Sequence, residues 1–490
     1  TEFIARGATA PGEVGKLPVS NHSYGYVRGW SWDGTRWSWQ GGSGATASSI
    51  DISFGMYNSR ARAIDAIIYD APYYLMFWSA GNERNNNPST GGSVNVGGVV
   101  TSYDPALHPA GDGVYRGGFE TVADNAVSKN VVVVGAATDA VTSGARDVTK
   151  ANVTSFTSWG PTDDGRIKPD LVANGDSLYS SGNASDTHYY NSSGTSMSSP
   201  NAAGTAALLV EHYANLFPGS AMRASTLKGL LIHTADDRGN AGPDYKFGWG
   251  LIDGQEAANL ITDHQANPTK IRMTEGTVST STTTVAHTFT WDGVSPIRAT
   301  LCWTDPEGPS TSTSDLRASR LVNNLNVKVI APGGTEYFPY VMPFVGTWTQ
   351  ASMDLPATTG INNTDNVEQV YIAAPAVAGD YQVVVSYSGT LTNLQQDYSL
   401  LVSGSAVVYE EAAPSIDPAS SYAASGVVAN LSGRPGFRDT PENYASWVNG
   451  STGGYGFGAW SLTSTGNADH FLADGMFNMD VGTAKAFALW

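Results

Sequence analysis

Two uninterrupted apolar runs, Tyr73-Tyr74-Leu75-Met76-Phe77-Trp78 and Val131-Val132-Val133-Val134, set the tightest limit on the fold, each ending shortly before a glycine, Gly81 or Gly135. A strand with one wet face alternates apolar and polar residues, whereas a strand covered on both faces reads as a continuous run. Both segments therefore belong inside a parallel sheet with helices on each side. The helices are legible too. Ala63, Ile64, Ile67 and Ile68 recur at helical spacing between Arg60 and Asp70, ahead of Pro72. A second helix is expected over Pro200–Phe217, with proline in its first turn and Ala202, Ala203, Gly204, Ala206 and Ala207 allowing close packing. A third is expected over Ala224–Thr234. Strand and helix in alternation make residues 1–263 an α/β parallel-sheet domain.

The texture then changes. Residues 268–404 hold short runs separated by turn signals such as Pro332-Gly333-Gly334 and Ala378-Gly379-Asp380, the pattern of an antiparallel β-sandwich. Residues 405–426, rich in Ala, Ser and Pro, read as a linker, and residues 427–490 as part of a further β-rich extension. Composition removes several functions. A formal net charge of −18 with no basic cluster argues against a nucleic-acid partner. No apolar window reaches the ~18 residues of a membrane span. The single cysteine, Cys302, permits no intrachain disulfide. There is no Walker loop and no His-Glu-x-x-His, so nucleotide and zinc chemistry find no support.

The string Gly194-Thr195-Ser196-Met197-Ser198-Ser199-Pro200 stands immediately before the alanine-rich helix. A serine there can be a simple N-cap. It also lies beside unpaired N–H groups at the positive end of the helix dipole, which suits an acyl-transfer nucleophile.

These seven residues resemble the nucleophile motif of the subtilisin-like serine peptidases, and other segments follow in that family's order. Ser79-Ala80-Gly81-Asn82 resembles the segment carrying the oxyanion-hole asparagine, and Ser23-Tyr24-Gly25 the strand that pairs with substrate backbone. Phe156–Pro161 with Gly165–Asp170 is similar to the family's surface turn ahead of the nucleophile, and Gly248–Asp253 to the end of its catalytic domain. The resemblance implies Ser196 and Asn82 as catalytic residues, with Ser23, Tyr24, Gly25, Ser79, Ala80, Gly81 and Thr195 binding substrate. The sandwich is similar to one appended in an alkaline, secreted branch. The long Arg84–Tyr115 insertion would form a rim of the cleft.

The family's Asp and His segments are not found. None of the eight histidines is followed by Gly, and no Asp precedes Ser-Gly or Thr-Gly. His22, beside the substrate strand, is expected to be a packed or solvent-facing side chain rather than a substitute base. A catalytic domain incomplete at its N-terminus is the expectation, with a nicked enzyme or a degenerate protease as alternatives. Structural calcium, common in the family, would find oxygen ligands in Asp305, Asp315, Asn323, Asp365 and Glu368. The function expected is an extracellular or periplasmic serine endopeptidase acting on polypeptides, its missing N-terminal fragment a possible partner. The alternative is a non-catalytic extracellular binding or matrix protein on the same fold.

Overall fold

The computed structural model describes residues 2–267, 272–291 and 294–404, together with two short strands, Asn478–Val481 and Ala484–Phe487, that pair antiparallel. The linker expected over 405–426, and the extension over 427–490 apart from that strand pair, lie outside the described residues.

Four strands form the parallel sheet in the order β1 (Val19–His22), β2 (Leu75–Ser79), β3 (Val132–Ala137) and β4 (Leu171–Asn174). The continuous apolar runs are explained by which way successive side chains point. Leu75 and Phe77 of β2 and Val132 and Val134 of β3 enter one core with Ala202, Ala203 and Ala206 of helix α2 (Thr195–Leu216). Tyr74, Met76, Trp78, Val131 and Val133 enter the other, against Ala61, Ile64 and Ile68 of helix α1 (Ser59–Tyr69). Each such side chain contributes about 1.5–3 kcal/mol by leaving water, so neither face of the sheet can be left uncovered. Asn58 caps α1, its side chain accepting from the N–H groups of Arg60 and Ala61.

Helix α2 starts at Thr195, not at Pro200 as its sequence suggests. Pro200 sits one turn inside, where its missing N–H leaves the Ser196 carbonyl without its usual helical donor. Helix α3 (Ala224–Thr234) follows the expected bounds and is buried from Ala224 to His233.

That burial comes from the second half of the chain. The sandwich comprises β5 (Met273–Ser279), β6 (Thr284–Trp291), β7 (Ile297–Cys302), β8 (Asn324–Ile330), β9 (Glu336–Tyr337), β10 (Val367–Ile372), β11 (Gly379–Ser388) and β12 (Gln395–Ser403). One antiparallel sheet runs β5-β12-β7-β10, the other β6-β11-β8-β9. Ile297, Ala299 and Leu301 of β7 face the second sheet, while Cys302 and Leu401 join the core that contains α3. Polar pairs fix the seam: Ser225 and Ser399 hydroxyls are 2.8 Å apart, as are His233 Nδ1 and Thr300 Oγ1.

One sequence reading needs correction. The segment Gly160–Asp170 is buried throughout, not a surface turn, because loops from the second half cover it: Arg320 N–H donates to Asp164 Oδ2 and Ile167 N–H to Asp365 Oδ1. The Arg84–Tyr115 insertion builds half of a four-stranded sheet: its Ser93–Val96 pairs with its own Val99–Ser102 on one side and on the other with Trp37–Trp39 of the tryptophan hairpin Trp30–Trp32 and Trp37–Trp39. Trp30, Trp39, Val94 and Tyr103 give that sheet a small core of its own.

Candidate active site

All four strands of the parallel sheet run the same way, so the segments that follow β1 and β2 emerge at one edge, beside the start of α2. Ligands of open α/β sheets bind outside the carboxyl ends of their strands. Ser23, Asn82 and Ser196 meet there.

Gly194 turns the chain into α2 with φ 155° and ψ 162°, a backbone region that only glycine occupies without strain. Its carbonyl accepts the N–H groups of Met197 and Ser198. The Thr195 N–H and hydroxyl both donate to Asn82 Oδ1, each at 2.9 Å. Among the described residues this leaves the Ser196 N–H as the first-turn donor without a protein partner. Since a backbone N–H needs an acceptor, the two Thr195 bonds also fix the orientation of the Asn82 amide. Its Nδ2 is therefore a donor on an exposed side chain, 3.8 Å from where a Cβ on Gly194 would sit. The site thus holds one hydroxyl, Ser196 Oγ, and two donors that an oxyanion could use.

Gly81 delivers Asn82 from the end of β2. It has φ 110°, and a Cβ there would lie 2.4 Å from the Glu83 carboxylate and 2.9 Å from Ser158 Oγ. Glu83 accepts a hydrogen bond from Ser158 at 3.3 Å, and burial pushes its carboxyl up to about 7. Ser79 ends β2 with its hydroxyl 3.5 Å from the His22 carbonyl, and Ala80 N–H donates to Val134 O.

The orphan carbonyl left by Pro200 is used. Ser23 Oγ donates to Ser196 O at 2.9 Å, and Ser196 Oγ donates to Ser23 O at 3.4 Å, so the segment after β1 is tied to the nucleophile loop. Ser199 Oγ adds a bond of 2.7 Å to Asn21 Oδ1, a residue the sequence did not single out. Ser23, Tyr24 and Gly25 lie just past the end of β1 rather than within it, with Tyr24 and Gly25 exposed and extended backbone available. Tyr24 is anchored through its carbonyl, which accepts from Trp78 Nε1 at 2.9 Å.

His22 points the other way. It is buried, stacks on Trp78 with centroids 4.4 Å apart, and has both ring nitrogens engaged by Ser20 Oγ and Tyr24 Oη at 2.7 Å. Burial lowers its pKa to about 4, so it is a neutral packing group.

The five oxygen ligands read from the sequence do not converge. Asp305 is buried against Lys129 and accepts the N–H groups of Val322 and Asn323. Asn323 bonds Gln396 and Thr392, and Asp365 takes the Ile167 N–H and the Asn362 amide. Glu368 lies between the two sandwich sheets and accepts from Val327 N–H at 2.8 Å. Each of these four makes bonds that hold the fold in a different place, and they do not converge on a shared cation. Asp315 stands apart, beside Glu120 and Asp163. Those two carried no local signal, because their partners come from distant segments.

Among the described residues no helix is long and apolar enough to cross a membrane. Residues 13–250 match the family model described as the Subtilase family. Serine protease AprX of Bacillus subtilis is 32% identical over 151 residues, 28% of this chain and 32% of that protein. The serine protease/ABC transporter B family protein tagA of Dictyostelium discoideum is 30% identical over 207 residues, 36% of this chain and 11% of the relative. Among solved structures, the CspB protease of Clostridium perfringens is 16% identical, with a TM-score of 0.33 over 42% of this chain and 66% of its own. The match thus spans about a tenth to a third of the length of these curated relatives. Residues 13–250, just under half of the chain, are thus the part that is similar to the subtilase family.

Proposed function

We propose that the chain carries the nucleophile half of a serine endopeptidase acting on polypeptides outside the cell or in the periplasm. Ser196 Oγ attacks the peptide carbonyl, its proton passing to a general base, and the oxyanion is held by the Ser196 N–H and Asn82 Nδ2. Collapse of the tetrahedral adduct releases the amine, which takes up the proton, and water then hydrolyses the acyl-enzyme. The extended backbone at Ser23–Gly25 pairs with the substrate, as a peptide adds to a strand edge. The observation that carries this reading is the pair of Thr195 bonds to Asn82 Oδ1, which orient a free amide donor beside a serine whose own N–H is unspent.

The base is not supplied by His22, which is buried, neutral and fully bonded. It has to come from another segment or another polypeptide, and such a fragment is the natural partner of this chain. The alternative, a non-catalytic extracellular binding protein, draws on the hydrogen bond that commits Ser196 Oγ to the Ser23 carbonyl.

The test uses the protein as it occurs in its source, with whatever segments accompany this chain. A fluorophosphonate probe should label Ser196, identified by peptide mass spectrometry, and Ser196→Ala should abolish peptide hydrolysis. Asn82→Ala should lower kcat about 10²- to 10³-fold, the size measured in subtilisin itself for loss of such a donor. Labelling at a different serine, or turnover unchanged in Ser196→Ala, overturns the assignment.

A further inference from the structure

Three carboxylates far apart in sequence converge at the seam between the two halves of the chain. Glu120 comes from the loop after the Asp112–Tyr115 turn of helix, Asp163 from the buried segment after Gly160, and Asp315 from the connection between β7 and β8. One oxygen of each lies within 4.8 Å of the other two. Glu120 and Asp163 are each only 3% exposed. Both oxygens of Asp163 and the Oε1 of Glu120 have no hydrogen-bond partner among the described residues. The Asp163 carboxylate is also boxed in, since a Cβ on Gly55 would lie 2.3 Å from its Oδ1.

Charge bookkeeping leaves the cluster negative. Arg116 touches Glu120 and bonds Asp315 Oδ1 at 2.8 Å, but it does not reach the orphan oxygens of Asp163. Arg317 is committed to the carbonyls of Asp163 and Phe344, and Arg166 is paired with Asp164. Protonating Asp163 could join one of its oxygens to one neighbouring carboxylate oxygen, but one proton cannot serve all three orphan oxygens. A cation satisfies all three at once. The oxygen-only donor set selects a hard ion, and three carboxylates, some bidentate, with water can complete the six to eight ligands that calcium takes.

We propose that Glu120, Asp163 and Asp315 form a binding site for a hard divalent cation of the calcium class, fastening the Arg116–Val122 loop and the buried Gly160–Gly165 segment to the sandwich half. The site would owe nothing to the cleft chemistry, so its test is independent of protease activity.

The experiment is calcium binding to the chelator-stripped chain by calorimetry, with thermal unfolding followed in parallel. Wild type should bind calcium and gain several degrees in Tm with it. Asp315→Ala, at a half-exposed position, should weaken binding at least tenfold and erase the calcium-dependent part of the Tm. Asp163→Asn should do the same, and Asp315→Ala decides if that variant does not fold. Glu368→Gln, in the sandwich interior, should leave binding unchanged. No calcium bound by wild type, or binding undiminished in Asp315→Ala, overturns the site.

Discussion

Removing the carboxylate of Asp305 separates a structural ion pair from a metal site, because the two readings respond to opposite reagents. Lys129 and Asp305 have fully buried side chains; Lys129 Nζ bonds the carboxylate and also donates to the carbonyls of Pro306 at 2.6 Å and Arg320 at 2.9 Å. Asp305→Ala strands a buried ammonium and frees the N–H groups of Val322 and Asn323. Breaking a buried pair from one side costs about 3–5 kcal/mol, far more than the pair contributes relative to apolar replacements. Urea unfolding followed by circular dichroism should show a loss of this size in chelator and in calcium alike. Adding Lys129→Met should recover most of it, though not all, since the Pro306 and Arg320 carbonyls then lose their donor. A loss under about 1 kcal/mol in chelator, or a double variant as poor as the two singles combined, refutes the ion-pair account.

Four further outcomes follow from the same contacts. Since His22 has its pKa lowered to about 4 in the fold, the unfolded chain binds its proton first as pH falls. Its contribution is therefore intact above about 6.5 and lost between there and 4, a total of roughly 3 kcal/mol; a ring NMR signal titrating near 6.5 would contradict the packing described. Glu368 has the opposite sign: burial holds its carboxyl well above the usual range, so folding favours the acid and stability declines as pH rises above the unfolded value. Glu368→Gln should flatten that decline in a pH series of urea midpoints, and an unaltered slope would show that Glu368 is ionised. Asn58→Ala removes the α1 cap and a 2.8 Å bond to Asp124, and should cost about 1–2 kcal/mol by the same unfolding assay; no measurable loss would remove the cap from the account of α1. Gly81→Ala should strain the turn and displace Asn82, lowering Tm by a few degrees and kcat at temperatures well below that Tm, and unchanged kcat would detach Asn82 from the chemistry.

What the sequence revealed and what it hid divide along a physical line. Patterns that act locally were legible: the doubly buried β2 and β3, the bounds of α3, and the small residues by which α2 packs on the sheet. The nucleophile string was legible because a tight Gly194 turn, a polar first turn and a helix must follow one another in the chain. Burial conferred by remote segments was not. The Gly160–Asp170 segment reads as a polar turn because its aspartates, arginine and lysine are charged, yet Asp164 pairs with Arg166 inside, Asp170 pairs with Lys168 and the distant Lys228, and the Arg320 N–H and Asp365 carboxylate bond the segment from far along the chain. The same remoteness misassigned the oxygen ligands: Asp305, Asn323, Asp365 and Glu368 look like solvated turn carboxylates and amides, while their partners are Lys129 and backbone N–H groups elsewhere.

Pro200 shows how a residue legible as a helix signal can carry a second role visible only in three dimensions. In the first turn of a helix it would be innocuous, but inside α2 it denies a donor to the carbonyl of Ser196, and Ser23 Oγ fills that vacancy at 2.9 Å. The substrate-side segment and the nucleophile are thereby linked through a bond that an ordinary helix would not leave open. The two residues should therefore be coupled. Ser23→Ala should cost about 1 kcal/mol in the wild-type background, the size of a hydrogen bond whose acceptor is left unsatisfied. In a Pro200→Ala background the residue-200 N–H can serve the Ser196 carbonyl, and the cost of Ser23→Ala should shrink by more than half. A double-mutant cycle read by unfolding measures that difference directly. Strict additivity would mean that the Ser196 carbonyl is not shared between the two, and that the link between cleft strand and nucleophile rests on the Ser199–Asn21 bond and the Ser196 hydroxyl on the Ser23 carbonyl.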